Sequence, residues 1–165
     1  YRNEVAECRT EFFNLNDPIT PPADVYQRLI KDFARKVEAN IGKKKRLART
    51  TEAMRVVYYD LAGKILEEKR QVIPCYAGTS NVHINYDGGV WPCCVLGYEK
   101  QMGNLREYDY DFQKLWHSEE AQEVRKYIKG KNCACPLANQ AYSNELLHMG
   151  TLIRAGIKSI QFSMK

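Results

Sequence analysis

The chain has no apolar run near the roughly 20 residues that a membrane-spanning helix needs, and no signal peptide. No membrane partner is therefore expected, and the cytoplasm is the default compartment. Low-complexity tracts and internal repeats are also missing, which sets aside disordered and solenoid architectures. Histidine is scarce, at three in 165 residues. No Ser/His/Asp or paired-carboxylate arrangement suggests hydrolysis, and no glycine loop suits a phosphate. DNA- and RNA-binding motifs are absent, so nucleic acid is not an expected partner. Finally, no Cys-x-x-Cys pair occurs, although two such knuckles are the usual frame of a structural zinc.

What remains is an ordinary globular composition, long enough for one domain, or one and a fragment, with a real core. The chain starts at Tyr1 in the middle of a pattern, which reads as an excised or processed piece. The net charge of +5 is concentrated between Arg28 and Arg49, where nine Lys or Arg residues face only Asp32 and Glu38. A solvated helix face with a basic loop at Lys43–Arg46 accounts for it; a docking patch for an acidic partner is the alternative.

Residues 1–16 read as a strand or extended lead-in, with Val5, Phe12, Phe13 and Leu15 as apolar points and Cys8 as a small buried hydrophobe. Thr20 followed by Pro21 fits a helix start. The apolar positions Val25, Leu29, Ile30, Phe33, Val37 and Ile41 then fall on one helical face, ended at Gly42. A second helix carries Met54, Val57, Tyr58, Leu61, Ile65 and Leu66. Asp87-Gly88 predicts a two-residue hairpin turn, pairing Tyr86 with Gly89, Ile84 with Trp91 and Val82 with Cys93. In that register Val82, Ile84, Tyr86, Trp91, Cys93 and Val95 form the inward face, while His83, Asn85, Pro92 and Cys94 lie opposite. Cys93 and Cys94 then point apart, unless a bulge intervenes.

Further on, Asp111–His117 reads as a short helix and Ser118 as the cap of another, with Glu119 and Glu120 in its first turn and Gly130 at its end. Residues 137–153 read as one more helix, with Leu146, Leu147, Met149 and Ile153 as core candidates. Ile157–Phe162 has strand-like alternation. His83, His117 and His148 read as surface or core residues rather than ligands.

Five of the six cysteines lie between Pro74 and Cys135. Thiolates are soft ligands, and four of them suit zinc or an iron–sulfur cluster. Cys75 before the hairpin, Cys93 on it and the late pair Cys133 and Cys135 are the candidate metal ligands. Pro74, Pro92 and Pro136 stiffen the backbone beside them. Spacing alone leaves zinc and iron–sulfur both open.

The segment resembles the SPASM/twitch domain that follows the catalytic barrel of many radical S-adenosylmethionine enzymes. The resemblance rests on Pro74-Cys75-Tyr76-Ala77-Gly78 and on Asp87-Gly88-Gly89-Val90-Trp91-Pro92-Cys93. It continues through Gly103-Asn104-Leu105, Leu115-Trp116-His117-Ser118, Arg125 and Cys133-Ala134-Cys135-Pro136. It implies one auxiliary [4Fe-4S] cluster, with Cys75 and Cys93 as the first two ligands. Five candidate cysteines do not suffice for a second all-cysteine cluster.

No Cys-x3-Cys-x2-Cys motif is present. S-adenosylmethionine and its own [4Fe-4S] cluster are therefore expected only in an upstream barrel domain, whose last strand would be residues 1–16. The partners implied are that barrel, a peptide or small-molecule substrate, and a reductase or flavodoxin-type electron donor.

The expected fold is α+β. Residues 1–70 form a lead-in strand and helical scaffold, and residues 71–165 a cluster-binding domain with a two-stranded β-hairpin and surrounding helices. The expected function is an auxiliary-cluster domain of an oxidoreductase or modifying enzyme, for electron transfer, substrate positioning or both. The rival is a non-catalytic zinc-binding module, held by four cysteines, whose basic helix docks a partner.

Overall fold

The computed structural model describes residues 22–97, 99–136 and 138–164. The predicted lead-in strand, Cys8 and the Thr20-Pro21 helix start lie outside the described residues. The fold is α+β, and the chain divides into two compact units. One contains Pro74–Cys135; the other joins the helices before Ile73 to those after Pro136. Among the described residues no helix is long and apolar enough to cross a membrane.

The helical unit begins with α1 (Ala23–Asn40), preceded by an extended Pro22 and carrying Asp24 in its first turn, where a carboxylate complements the helix dipole. Its buried side is Tyr26 and Ile30, whereas Val25 and Leu29 are exposed. The expected stripe is thus rotated by about a residue, because the Tyr26 ring buries as well as any aliphatic side chain. A short 3-10 turn, Ile41–Lys43, leads into α2 (Arg46–Glu68), whose buried residues include Ala53, Val57, Leu61, Ala62 and Leu66. Gly63 lets α1 approach closely: a Cβ there would lie 3.1 Å from Ile30 Cδ1.

The C-terminal part is α5 (Ala138–Leu147) and α6 (Met149–Ser163). The single helix expected over 137–153 is broken at His148, whose Nδ1 accepts from Thr151 N–H at 3.3 Å and so starts a new helix. The expected strand at Ile157–Phe162 is instead the end of α6. Ala155 and Phe162, two turns apart, supply its buried side, a case where a short apolar run fits either period. Ile41, Ala53 and Phe162 form one core cluster, and Val57, Leu61 and Ala155 another. The expected core residues Leu146, Leu147, Met149 and Ile153 are exposed. The buried side chains here include Asn144, Glu145 and Thr151.

The basic stretch is partly structural. Arg49 donates to the carbonyls of Lys44, Gly42 and Phe162, and Lys44 and Arg55 both pair with the buried Glu52 carboxylate. Arg28 and Arg35 pair on the surface with Asp24 and Asp32.

The other unit is built on a three-stranded antiparallel sheet, β1 (His83–Ile84), β2 (Gly89–Trp91) and β3 (Gly103–Asn104), in that order. β3 adds a strand to the expected hairpin. The register also differs, with His83 opposite Trp91 and Ile84 opposite Val90.

The cause is the turn. Asn85 and Gly89 flank a three-residue loop, closed by Gly88 N–H to Asn85 O at 3.0 Å and Asn85 N–H to Gly89 O at 2.8 Å. In this loop Gly88 takes the left-handed position at φ 90°, the type I turn plus bulge rather than the two-residue turn. A shift of one residue exchanges faces. Burial does not follow the expected inward face: Ile84 and Tyr86 are exposed, as is His83, while Val90, the partner of Ile84, is fully buried. Among the described residues a 3-10 turn, Leu105–Tyr108, and two α-helices complete the unit. Asp111 caps α3 (Phe112–Trp116) and Ser118 caps α4 (Glu119–Lys129), which buries Ala121, Val124 and Ile128.

Candidate metal centre

Cys75 stands at the entrance of a turn. Thr79 and Ser80 N–H both donate to Tyr76 O, and Ala77 bridges Asn81. Gly78 turns the chain with φ 71°. Its N–H is shared between Asn81 O at 3.0 Å and Pro92 O at 3.1 Å. That second bond ties the Cys75 turn to the residue before Cys93. A side chain at Gly78 would press on Pro92 at 3.1 Å and Met102 at 3.3 Å, so the approach requires glycine.

Arg125 fixes the same turn from the other side. Its Nε donates to Gly78 O at 2.7 Å and its Nη1 to Trp116 O at 2.8 Å, with the guanidinium 4.2 Å over the Trp116 ring. One planar cation therefore joins three sequence pieces, the Cys75 turn, the Leu115-Trp116 helix and α4, in the fork geometry peculiar to arginine.

The hairpin is secured in a parallel way. Asn104 Nδ2 donates to Asp87 O at 3.2 Å, and Leu105 N–H to Gly88 O at 2.8 Å. Met102 N–H donates to Val90 O at 2.7 Å. These bonds set β2, and so the exit toward Pro92 and Cys93.

β2 ends at Trp91, and both Cys93 and Cys94 lie in the turn that follows. Strand alternation therefore does not govern them; burial separates them instead. Cys93 is 9% exposed and Cys94 is half-buried. Leu96 N–H points at Cys93 Sγ at 3.5 Å, and the Val95 N–H also bonds it. Burial pushes the Cys93 thiol up to about 11 against those N–H groups, and the nearby Cys94 and Cys75 add to the rise. Gly97 closes the turn under Trp91, whose ring leaves only 2.2 Å for any Cβ.

The closing pair follows α4. Tyr127 and Asn132 clamp one another: the phenol donates to Asn132 O at 3.0 Å, and Asn132 Nδ2 to Tyr127 O at 3.0 Å. Cys133 comes next, close enough to Tyr127 to add, after burial, to the rise of that phenol's pKa. Lys100, from the loop after Cys94, lies 4.3 Å over the Tyr127 ring. Cys133 and Cys135 are both half-buried.

The structure thus sets Cys75 and Cys94 beside Cys93, and it ties the Cys133 segment to the loop after Cys94 through Tyr127. Among the described residues, no three His, Cys, Asp or Glu side chains converge on one metal-sized point. The donor set nevertheless suits an iron–sulfur cluster: the five described cysteines are all outside disulfides, and the most buried sulfur accepts backbone N–H bonds. His83 is exposed, His117 ends α3 and His148 caps α6, so all three have ordinary structural settings. Sequence reasoning does not reveal the clamps made by Arg125 and by Tyr127 with Asn132. Their partners are backbone carbonyls, which leave no mark on residue type.

Residues 75–137 match the family model of SPASM, described as an iron-sulfur cluster-binding domain. That match identifies residues 75–137, and not the rest of the chain, as a SPASM-type iron–sulfur cluster-binding region. No curated protein and no solved structure matches the chain.

Proposed function

We propose that the chain is the auxiliary-cluster part of a cytoplasmic radical S-adenosylmethionine oxidoreductase or modifying enzyme. In this reading Cys75, Cys93, Cys133 and Cys135 hold one [4Fe-4S] cluster. The observation that carries it is the coupling of the cysteine loops: the Cys75 turn bonds to Pro92 O and is pinned by Arg125, so two sulfur-bearing segments are preset side by side.

With every iron held by a cysteine, such a cluster would supply one-electron chemistry when bound. The chain's own residues set the conditions. Burial at Cys93 excludes water, and the Leu96 N–H draws charge from its sulfur, both of which tune a reduction potential. Metal binding releases the thiol protons, and for Cys93 that release is opposed until the metal's charge is present. S-adenosylmethionine, its cluster and the substrate, peptide or small molecule, belong to an upstream barrel. A reductase or flavodoxin-type protein is the electron donor.

Anaerobic purification tests this. A brown protein with broad visible absorption and about four iron and four sulfide per chain is expected. A colourless protein with stoichiometric zinc would replace this reading with the four-cysteine zinc module. The chain alone, given S-adenosylmethionine and a reductant, should form no 5′-deoxyadenosine.

A further inference from the structure

α6 is apolar on two sides. Thr151, Ala155 and Phe162 face the helical unit's interior. Met149, Leu152, Ile153, Ile157, Ile160 and Met164 are 39–76% exposed. At about 100° per residue these six fall within an arc of about 140°, centred nearly opposite the buried side. A helix that is apolar on both sides is normally covered on both.

The size and charge of this face select its occupant. The six side chains present on the order of 700 Å², more than the 300–600 Å² patch common on monomers and close to one partner's share of a standard interface. No unpaired charge interrupts it. Arg154 is paired with Asp60 and Lys158 with Glu38, both within the same unit. A charged peptide would find no counter-charge on α6, whereas two copies of an uncharged stripe meet without repulsion. At the middle of the stripe, Gly156 has nothing within 4 Å of its Cβ position, so a second helix backbone can come close there.

We propose that this face is an isologous dimer contact, in which α6 of one chain packs on α6 of a second copy about a two-fold axis near Gly156. Each stripe then covers the other, and the assembly closes at two. The proposal is independent of the metal reading, because every residue in it belongs to the helical unit.

Light scattering coupled to size exclusion tests it on the full chain across a dilution series. The expected mass is twice the 19.1 kDa of one chain. Ile160→Glu and Ile157→Glu place a carboxylate in the contact at exposed sites, where the monomer fold should tolerate it, as far-UV circular dichroism would show. Each should weaken dimerisation at least about 100-fold, since unpaired buried charge is costly. Leu47→Glu, at a position 85% exposed outside α6, should leave the dimer unchanged. A monomer at all concentrations, an open series of larger oligomers, or a dimer indifferent to Ile160→Glu would overturn the proposal.

Discussion

The two units are stabilised in different ways. The helical unit relies on apolar rows repeated along α1, α2 and α6, trimmed by ion pairs such as Arg154 with Asp60. The cysteine unit has strands of only two or three residues, and its shape depends on side chains that bond to backbone carbonyls. Arg125 joins the Cys75 turn to the end of α3, Asn104 reinforces the β2–β3 pairing at the hairpin turn, and Asn132 ties the segment before Cys133 to the last turn of α4. Helical rows spread stability over many equivalent contacts. Clamps concentrate it in a few, a design suited to placing sulfur atoms.

Both tryptophans, Trp91 and Trp116, lie in the cysteine unit, so their fluorescence follows that unit, while far-UV circular dichroism is dominated by the helical one. The largest effect should come from Arg125→Ala, which removes two charge-assisted bonds and a cation–π contact. About 3 kcal/mol of stability should be lost in the fluorescence transition, with little change in the helical signal. Arg125→Lys should recover less than half, because an ammonium cannot fork between Gly78 O and Trp116 O. Equal shifts in both signals would show that the units do not separate in this way.

An intermediate effect should arise at Glu145, in α5, which is 1% exposed and whose two carboxylate oxygens have no hydrogen-bond partner. Burial raises its pKa from 4.5 to about 7, opposed by Arg154. The folded value lies above the unfolded one. Its contribution to stability is therefore fully present below pH 4.5 and lost as pH rises through about 7. The helical transition should weaken by on the order of 2–3 kcal/mol across that window, and Glu145→Gln should flatten the slope. A slope unchanged by Gln would place the pH dependence elsewhere.

Least of all should come from the exposed Arg28–Asp24 pair: Asp24→Asn should move the helical transition by no more than about 0.5 kcal/mol. A loss near 2 kcal/mol there would mean that surface charge matters to this unit far more than its packing suggests.

The same contrast explains what can be read in the chain. Helices α1 to α4 follow from period and caps: Asp111 and Ser118 do what their residue types predict. The end of α6 reads as a strand because Ile160 and Phe162 alternate with Gln161; in the helix those two apolar residues fall on opposite sides, Phe162 buried and Ile160 exposed. The hairpin turn is legible, yet its length is not. Asp87-Gly88 serves both the two-residue and the three-residue loop, and the latter moves the register by one. The cysteine motif pieces are visible in order, and Asn104 and Arg125 turn out to be the residues that hold those pieces together.

Iron and sulfide content of anaerobically reconstituted protein, compared across single alanine substitutions of the five clustered cysteines, tests the central claim most directly. About four iron per chain are expected in the unsubstituted protein. Loss of most of that iron is expected for Cys75→Ala, Cys93→Ala, Cys133→Ala and Cys135→Ala, with retention for Cys94→Ala. Iron retained without Cys93 but lost without Cys94 would contradict the ligand assignment, and iron indifferent to all five would contradict the site.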